Sequence, residues 1–180
     1  KVAAEYGSIY VTHMRQRDIH AVESIMEAIE IGEKAGLPVH ISHHPVRYPY
    51  QGRMKSMLLR LHEDARERGL DITLDVMVQN YNPTSLTAQV PHWMHEGGLE
   101  KLLERLKDPE IRKKVKAYDN PQVKLIRDGK WDKVILGDCV KNAHLIGKNF
   151  AEIAKIRGVE DPWDAAMDMM IEEGGRVGIY

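Results

Sequence analysis

Two short strand-like runs, each ending on histidine, constrain this chain more than any other feature. Residues 8–13 read Ser-Ile-Tyr-Val-Thr-His, and residues 39–44 read Val-His-Ile-Ser-His-His. Strand side chains alternate between faces, so Ile9, Val11 and His13 are expected on one face of their strand. By the same count Val39, Ile41 and His43 share a face. Between the runs, Ile19, Val22, Ile25, Met26 and Ile29 recur at helical spacing, with Glu23, Glu27 and Glu30 off the stripe. Gly36 and Pro38 stop that helix. A strand, a helix and a strand in this order predict a parallel βαβ unit. Paired strands lie about 4.8 Å apart, so histidines at equivalent strand ends are within reach of one metal ion.

The rhythm continues and then breaks. A loop carrying Pro45 and Pro49 leads to a second amphipathic helix marked by Met54, Met57, Leu58, Leu61 and Ala65, closed by Gly69. Residues 72–76 read as a third strand, which makes β-α-β-α-β and argues for parallel strands. Residues 77–130 depart from the pattern, with short charged helices expected over 99–106 and from Pro109. So long an excursion marks a functional lid or a subdomain. A fourth strand is expected at 133–136, helices at 150–157 and 162–173 with Asp161 as N-cap, and a fifth strand at 177–180. The expected fold class is α/β, the central part of a (β/α)8 TIM-type barrel with a lid-like helical insertion. An open doubly wound sheet is the alternative, because both architectures build sites at the carboxyl ends of strands. A complete barrel takes about 250 residues, so residues 1–180 are expected to be a fragment of one barrel domain.

Charge and composition narrow the partners. Lysine and arginine number 26 against 27 aspartates and glutamates, which leaves no electrostatic case for nucleic acid or an anionic membrane. No apolar run approaches the roughly 20 residues of a membrane span. The single cysteine, Cys139, excludes an internal disulfide framework and fits a reducing, cytoplasmic compartment. The chain opens at Lys1, almost inside a strand, and stops at Tyr180 in another, so both ends read as cut.

His13 and His43 carry the sharpest chemical signal. A catalytic zinc takes about three protein ligands and keeps a position for water, and neutral imidazoles on rigid strands suit it. Buried histidines satisfied by backbone are the bland reading. No HxH pair, HExxH helix or paired cysteines complete a ligand set within the chain. By alternation His44 and His40 point away from His43, and packing under the neighbouring helix is the expectation for both. Asp75, at the end of the third strand, is a candidate substrate contact, a carboxylate behind a metal ligand, or a proton shuttle. Arg15 is a candidate for holding a substrate carboxylate bidentately, or for simply pairing with a helix acid. His92 and His95 flank Trp93 in the expected insertion, and a small core around Trp93 is favoured over substrate contacts. Cys139 is expected to be a packed thiol.

Beyond these residues, the sequence resembles the N-acyl-D-amino-acid deacylase (D-aminoacylase) family of the amidohydrolase superfamily. The resemblance is carried by Tyr-Val-Thr-His-Met-Arg at 10–15, Pro-Val-His-Ile-Ser-His-His at 38–44, Pro-His-Trp at 91–93, Glu-Gly-Gly at 96–98 and Glu-Glu-Gly-Gly at 172–175. It implies a metal-dependent (β/α)8 hydrolase in which residues 83–130 are a lid-like insertion and His13 and His43 are zinc ligands. It further implies attack by a metal-bound hydroxide on the amide of an N-acylated amino acid. On that pattern the remaining ligands would precede Lys1 and the general-base aspartate would follow Tyr180, so the isolated fragment is expected to be inactive. The remainder of the barrel, or another subunit, is then its expected partner. The departures are Pro45, where the family usually has lysine, and residues 77–84, where a Tyr-Pro-Tyr and Gly-Ser-Thr pattern is missing. Two other functions follow from those departures: a non-catalytic homologue serving as a binding or scaffold subunit, and a hydantoinase-like hydrolase of cyclic amides.

Overall fold

The computed structural model describes residues 1–44, 46, 47, 50, 52–78, 81, 83–118 and 124–180. Pro45 and Pro49 of the stiffened loop lie outside the described residues, as do Gln79, Asn80 and Asn82 of the altered 77–84 stretch. The chain divides into two compact units, Lys1–Gln79 and Asn80–Tyr180.

The first unit holds α1 (Val2–Glu5), β1 (Tyr10–His13), α2 (Ala21–Ala35), β2 (Val39–Ser42), α3 (Arg53–Glu67) and β3 (Ile72–Leu74). Its strands pair in parallel in the order β1-β2-β3, as the βαβ reading expects. Gly36 ends α2 with a left-handed φ of 68°, and its N–H bonds back to the Gly32 carbonyl. The buried stripe of α2 is Ala21, Ser24, Ile25, Ala28, Ile29 and Gly32, so Ile19 and Met26 lie off it and are exposed. That stripe shares a core with Val39, Ile41 and Ile72 of the sheet and Leu58 and Ala65 of α3. Helix and sheet approach closely at Gly32, where an added Cβ would stand 2.3 Å from Val39 Cγ2.

The parallel ladder runs past the named strands. Asp75 N–H donates to the Ile41 carbonyl at 3.1 Å, and His44 N–H donates to the Asp75 carbonyl at 2.9 Å. These bonds hold the carboxyl end of β2 against the carboxyl end of β3.

The second unit begins with β4 (Thr84–Ser85), two 3-10 turns (Leu86–Gln89, His92–His95), α4 (Leu99–Arg105) and α5 (Pro109–Ala117). It continues through α6 (Lys124–Arg127), β5 (Leu136–Asp138), α7 (Phe150–Arg157), α8 (Pro162–Glu172) and β6 (Gly178–Ile179). Asp108 and Asp161 cap α5 and α8, accepting from Glu110 N–H at 2.8 Å and Trp163 N–H at 2.9 Å. Asn149 and Glu152 form a reciprocal capping box at the start of α7.

Two strand expectations need correction here. The strand expected at 133–136 is β5, Leu136–Asp138, because Trp131–Lys133 makes a 3-10 turn that buries Trp131. The run at the chain's end, as β6, pairs antiparallel with both β4 and β5. It therefore does not extend the parallel set, and no closed barrel forms among the described residues. Within this unit Leu86, Met94, Leu102, Leu106 and Val115 share one core with Leu136, Phe150, Ile153 and Met167. Segment 83–130 thus contributes to a common core with the helices that follow it.

A buried acid fixes one loop of this unit. Glu173 is 4% exposed. It accepts from Val140 N–H at 2.9 Å, Lys141 N–H at 3.0 Å, Asn142 N–H at 2.8 Å and Asn142 Nδ2 at 2.7 Å. These donors hold its carboxyl down at about 2, against the desolvation that opposes them. Cys139, at the start of this turn, is a buried thiol, as expected. Burial, then the Glu173 charge, raise its pKa.

Candidate metal centre

Register, not alternation alone, decides which histidines meet. β1 and β2 pair Val11 with His40 and His13 with Ser42, and β2 and β3 pair His40 with Thr73. Paired residues share a face, so His13, His40, Ser42 and Thr73 lie together, opposite the buried Val39 and Ile41. The sequence count had put His43 in phase with Ile41. The structure corrects this: β2 ends at Ser42, and His43 takes a φ of +51°, the one positive φ outside glycine among the described residues. That turn breaks the alternation and brings the His43 ring edge-on to His13, with centroids 4.9 Å apart and planes at 90°.

Asp75 ties this end of the sheet together. Its Oδ1 accepts from the His43 backbone N–H at 2.7 Å and lies 3.0 Å from His43 Nδ1. Its Oδ2 lies 3.0 Å from His40 Nε2. The far nitrogen of His40, Nδ1, is 2.8 Å from Thr73 Oγ1. The His43 backbone N–H first, then the His40 ring, hold the Asp75 carboxyl below the usual carboxylate range. An ionised carboxylate only accepts, so both ring nitrogens facing it carry hydrogen. In the neutral imidazole this leaves His43 with a bare Nε2. Asp75, a candidate substrate contact, carboxylate behind a metal ligand or proton shuttle in the sequence, contacts two histidines in the structure. His40, expected to pack under a helix, instead belongs to this cluster.

Other candidates fall elsewhere. His44 is 1% exposed and meets His62 of α3 edge-on with centroids 4.9 Å apart, the packing expected of it. Arg15 pairs its guanidinium with Glu27 of α2, bidentately at 3.0 and 2.8 Å, the contact that the helix-acid reading describes. In the second unit His92 and His95 are exposed, while Trp93 packs beside the core residue Met94.

Among the described residues no group of three or more histidine, cysteine, aspartate or glutamate side chains stands ready to hold a metal ion. The donor chemistry of His13 and His43 fits two of about three protein ligands of a catalytic zinc, one of them oriented by a carboxylate as such ligands commonly are. The sequence reading missed His40 and Thr73. The signal for them was the i, i+2 pair Thr73 and Asp75, which must share one face and face the neighbouring strand's His40.

No family model matches the chain. It is 42% identical over 71 residues to a D-aminoacylase of Alcaligenes xylosoxydans xylosoxydans, a match covering 39% of this chain and 14% of that protein. Its fold matches an N-acyl-D-glutamate deacylase of Bordetella bronchiseptica, complexed with zinc and a phosphonate mimic of the tetrahedral intermediate. That match has a TM-score of 0.64 at 20% identity and covers 99% of this chain and 28% of the other. A D-aminoacylase with a binuclear metal centre gives 0.58 at 21% identity, covering 98% and 28%. Another D-aminoacylase, described as defining a novel subset of amidohydrolases, gives 0.57 at 23%, covering 99% and 28%. The chain spans only about a quarter of the solved chains it matches and 14% of the curated one. By its α/β fold and its local sequence identity, the chain resembles the N-acyl-D-amino-acid deacylases of the amidohydrolase superfamily.

Proposed function

We propose that this chain is part of a zinc-dependent amidohydrolase that cleaves the amide bond of N-acyl-D-amino acids, with His13 and His43 as two of its metal ligands. The observation that carries the reading is the meeting of the His13 and His43 rings at 4.9 Å, with His43 Nδ1 committed to Asp75. That commitment leaves Nε2 of His43 as a ligand atom and stops the ring from turning. Zinc bound there would supply Lewis acidity, acidifying a water and polarising the acyl carbonyl. Asp75 keeps its charge while it orients His43, because the His43 backbone N–H stabilises the same oxygen. Val11, beside His13 on this face, is 56% exposed and offers an apolar surface to an acyl chain.

The test is hydrolysis by the full-length protein of a panel of N-acyl-D-amino acids, their L-enantiomers and hydantoins, with and without chelator. Chelator-sensitive cleavage of the D series supports the proposal. Cleavage of ring substrates alone moves the function to cyclic amides. A folded, metal-loaded protein inert across the panel contradicts both and leaves a binding or scaffold role.

A further inference from the structure

His40 stands apart from the other described histidines, with both ring nitrogens engaged by side chains of the neighbouring strand. Nε2 faces Asp75 Oδ2 at 3.0 Å and Nδ1 faces Thr73 Oγ1 at 2.8 Å. Their directions can be assigned. Asp75 accepts, so His40 Nε2 carries a hydrogen, and in the neutral imidazole Nδ1 is then a bare acceptor. Thr73 Oγ1 then donates to Nδ1, a better contact than its alternative to the Val39 carbonyl at 3.4 Å. The donors converge on Asp75: Thr73 donates to His40 and His40 to Asp75 Oδ2, while His43 donates to Asp75 Oδ1. Each bond polarises the next.

The geometry also explains what Asp75 would do without His40. With only His43 as partner, its free oxygen would face solvent, and the carboxylate could turn about its χ2 axis. Bridging two histidines from β2 and its exit pins both oxygens at once. His40 is rigid in turn, since it sits mid-strand and its backbone lies between β1 and β3.

We propose that His40 is a positioning residue for the metal ligand His43, acting through Asp75 and itself oriented by Thr73. The inference rests on the metal assignment above and adds to it a residue that touches neither metal nor substrate. Ligand orientation by such outer partners is worth about 10–100-fold in metal affinity.

Cobalt(II) serves as the probe, because its visible absorption reports ligand geometry and its affinity is measured by competition with a chelator. In the full-length protein, His40→Leu is expected to weaken cobalt binding by about 10-fold or more and to alter the absorption band. His40→Gln keeps an N–H that reaches Asp75 and is expected to return both toward wild type. Thr73→Val, on an exposed position that does not threaten folding, shifts both in the same direction by less. Wild-type binding that is abolished by His13→Ala but unchanged in affinity and spectrum by His40→Leu and Thr73→Val would overturn this inference and leave the metal assignment standing. Absence of cobalt binding in the wild type would overturn the assignment itself.

Discussion

His13 and His43 meet ring to ring at 4.9 Å although the strands pair His13 with Ser42. The contact depends on the left-handed backbone of His43, at φ 51°, which carries its side chain onto the face where His13 already lies. Such a backbone costs an L-residue on the order of 1–2 kcal/mol. It persists because Asp75 grips both the N–H and the ring of the same residue. Strain of this kind gathers at functional sites.

That strain is measurable. Replacing His43 removes the ring contacts whichever small residue takes its place, so two replacements compared with each other isolate the backbone. His43→Gly should be more stable than His43→Ala by about 1 kcal/mol in urea denaturation, since glycine adopts positive φ freely. Equal midpoints would mean that the backbone relaxes to an ordinary conformation once the imidazole is gone.

Glu173 governs acid stability in the second unit. In an unfolded chain this carboxyl would titrate near 4.5, whereas in the fold it sits at about 2. A carboxyl with a depressed folded pKa contributes stability above its unfolded value, and that contribution fades as pH falls from 4.5 toward 2. Glu173→Gln is expected to cost about 2 kcal/mol at neutral pH, because an amide turns donors toward the N–H groups of 140–142. It should also flatten the loss of stability across that acid window. A variant as acid-sensitive as the wild type would show that other groups set the window.

His62 works at milder pH and in the first unit. It is 5% exposed, its Nε2 has no hydrogen-bond partner, and burial followed by the charges of His44 and Arg66 lowers its pKa to about 4. The unfolded chain therefore takes up this proton first, near 6.5, so stability is complete above 6.5 and declines as pH falls toward 4. His44 shifts in the same direction, again through burial. His62→Leu should keep or raise stability at pH 7 and reduce the slope of stability with pH in this window. An undiminished slope would assign the effect to His44 and not to His62.

The sequence announced helices far better than it announced the site. Gly36 as a left-handed cap, Pro109 at a first turn and Asp161 as N-cap are local signals, readable because capping chemistry acts within one turn. Strand parity was legible within each run but not between them. The residue opposite His13 is set by the register of two strands 29 residues apart in sequence, and the turn at His43 shifts parity again. The cluster of His40, Thr73 and Asp75 was hidden for the same reason, since its bonds cross from β2 to β3. In the second unit, β4 and β6 are two residues each, too short for any alternation to show, so their antiparallel pairing had no pattern to announce it. For Arg15 the sequence leaves a substrate carboxylate and a helix acid both open, because a lone arginine after a strand does not say that Glu27, nearly two turns inside α2, stands beside it.

Whether His13 and His43 hold a metal ion together is read from the zinc content of the purified full-length protein, wild type against the double variant His13→Ala/His43→Ala, both confirmed as folded by circular dichroism. Tightly bound zinc is expected in the wild type, and its loss, in whole or by one ion, in the double variant. Zinc absent from the wild type, or retained undiminished by the double variant, would contradict the metal assignment.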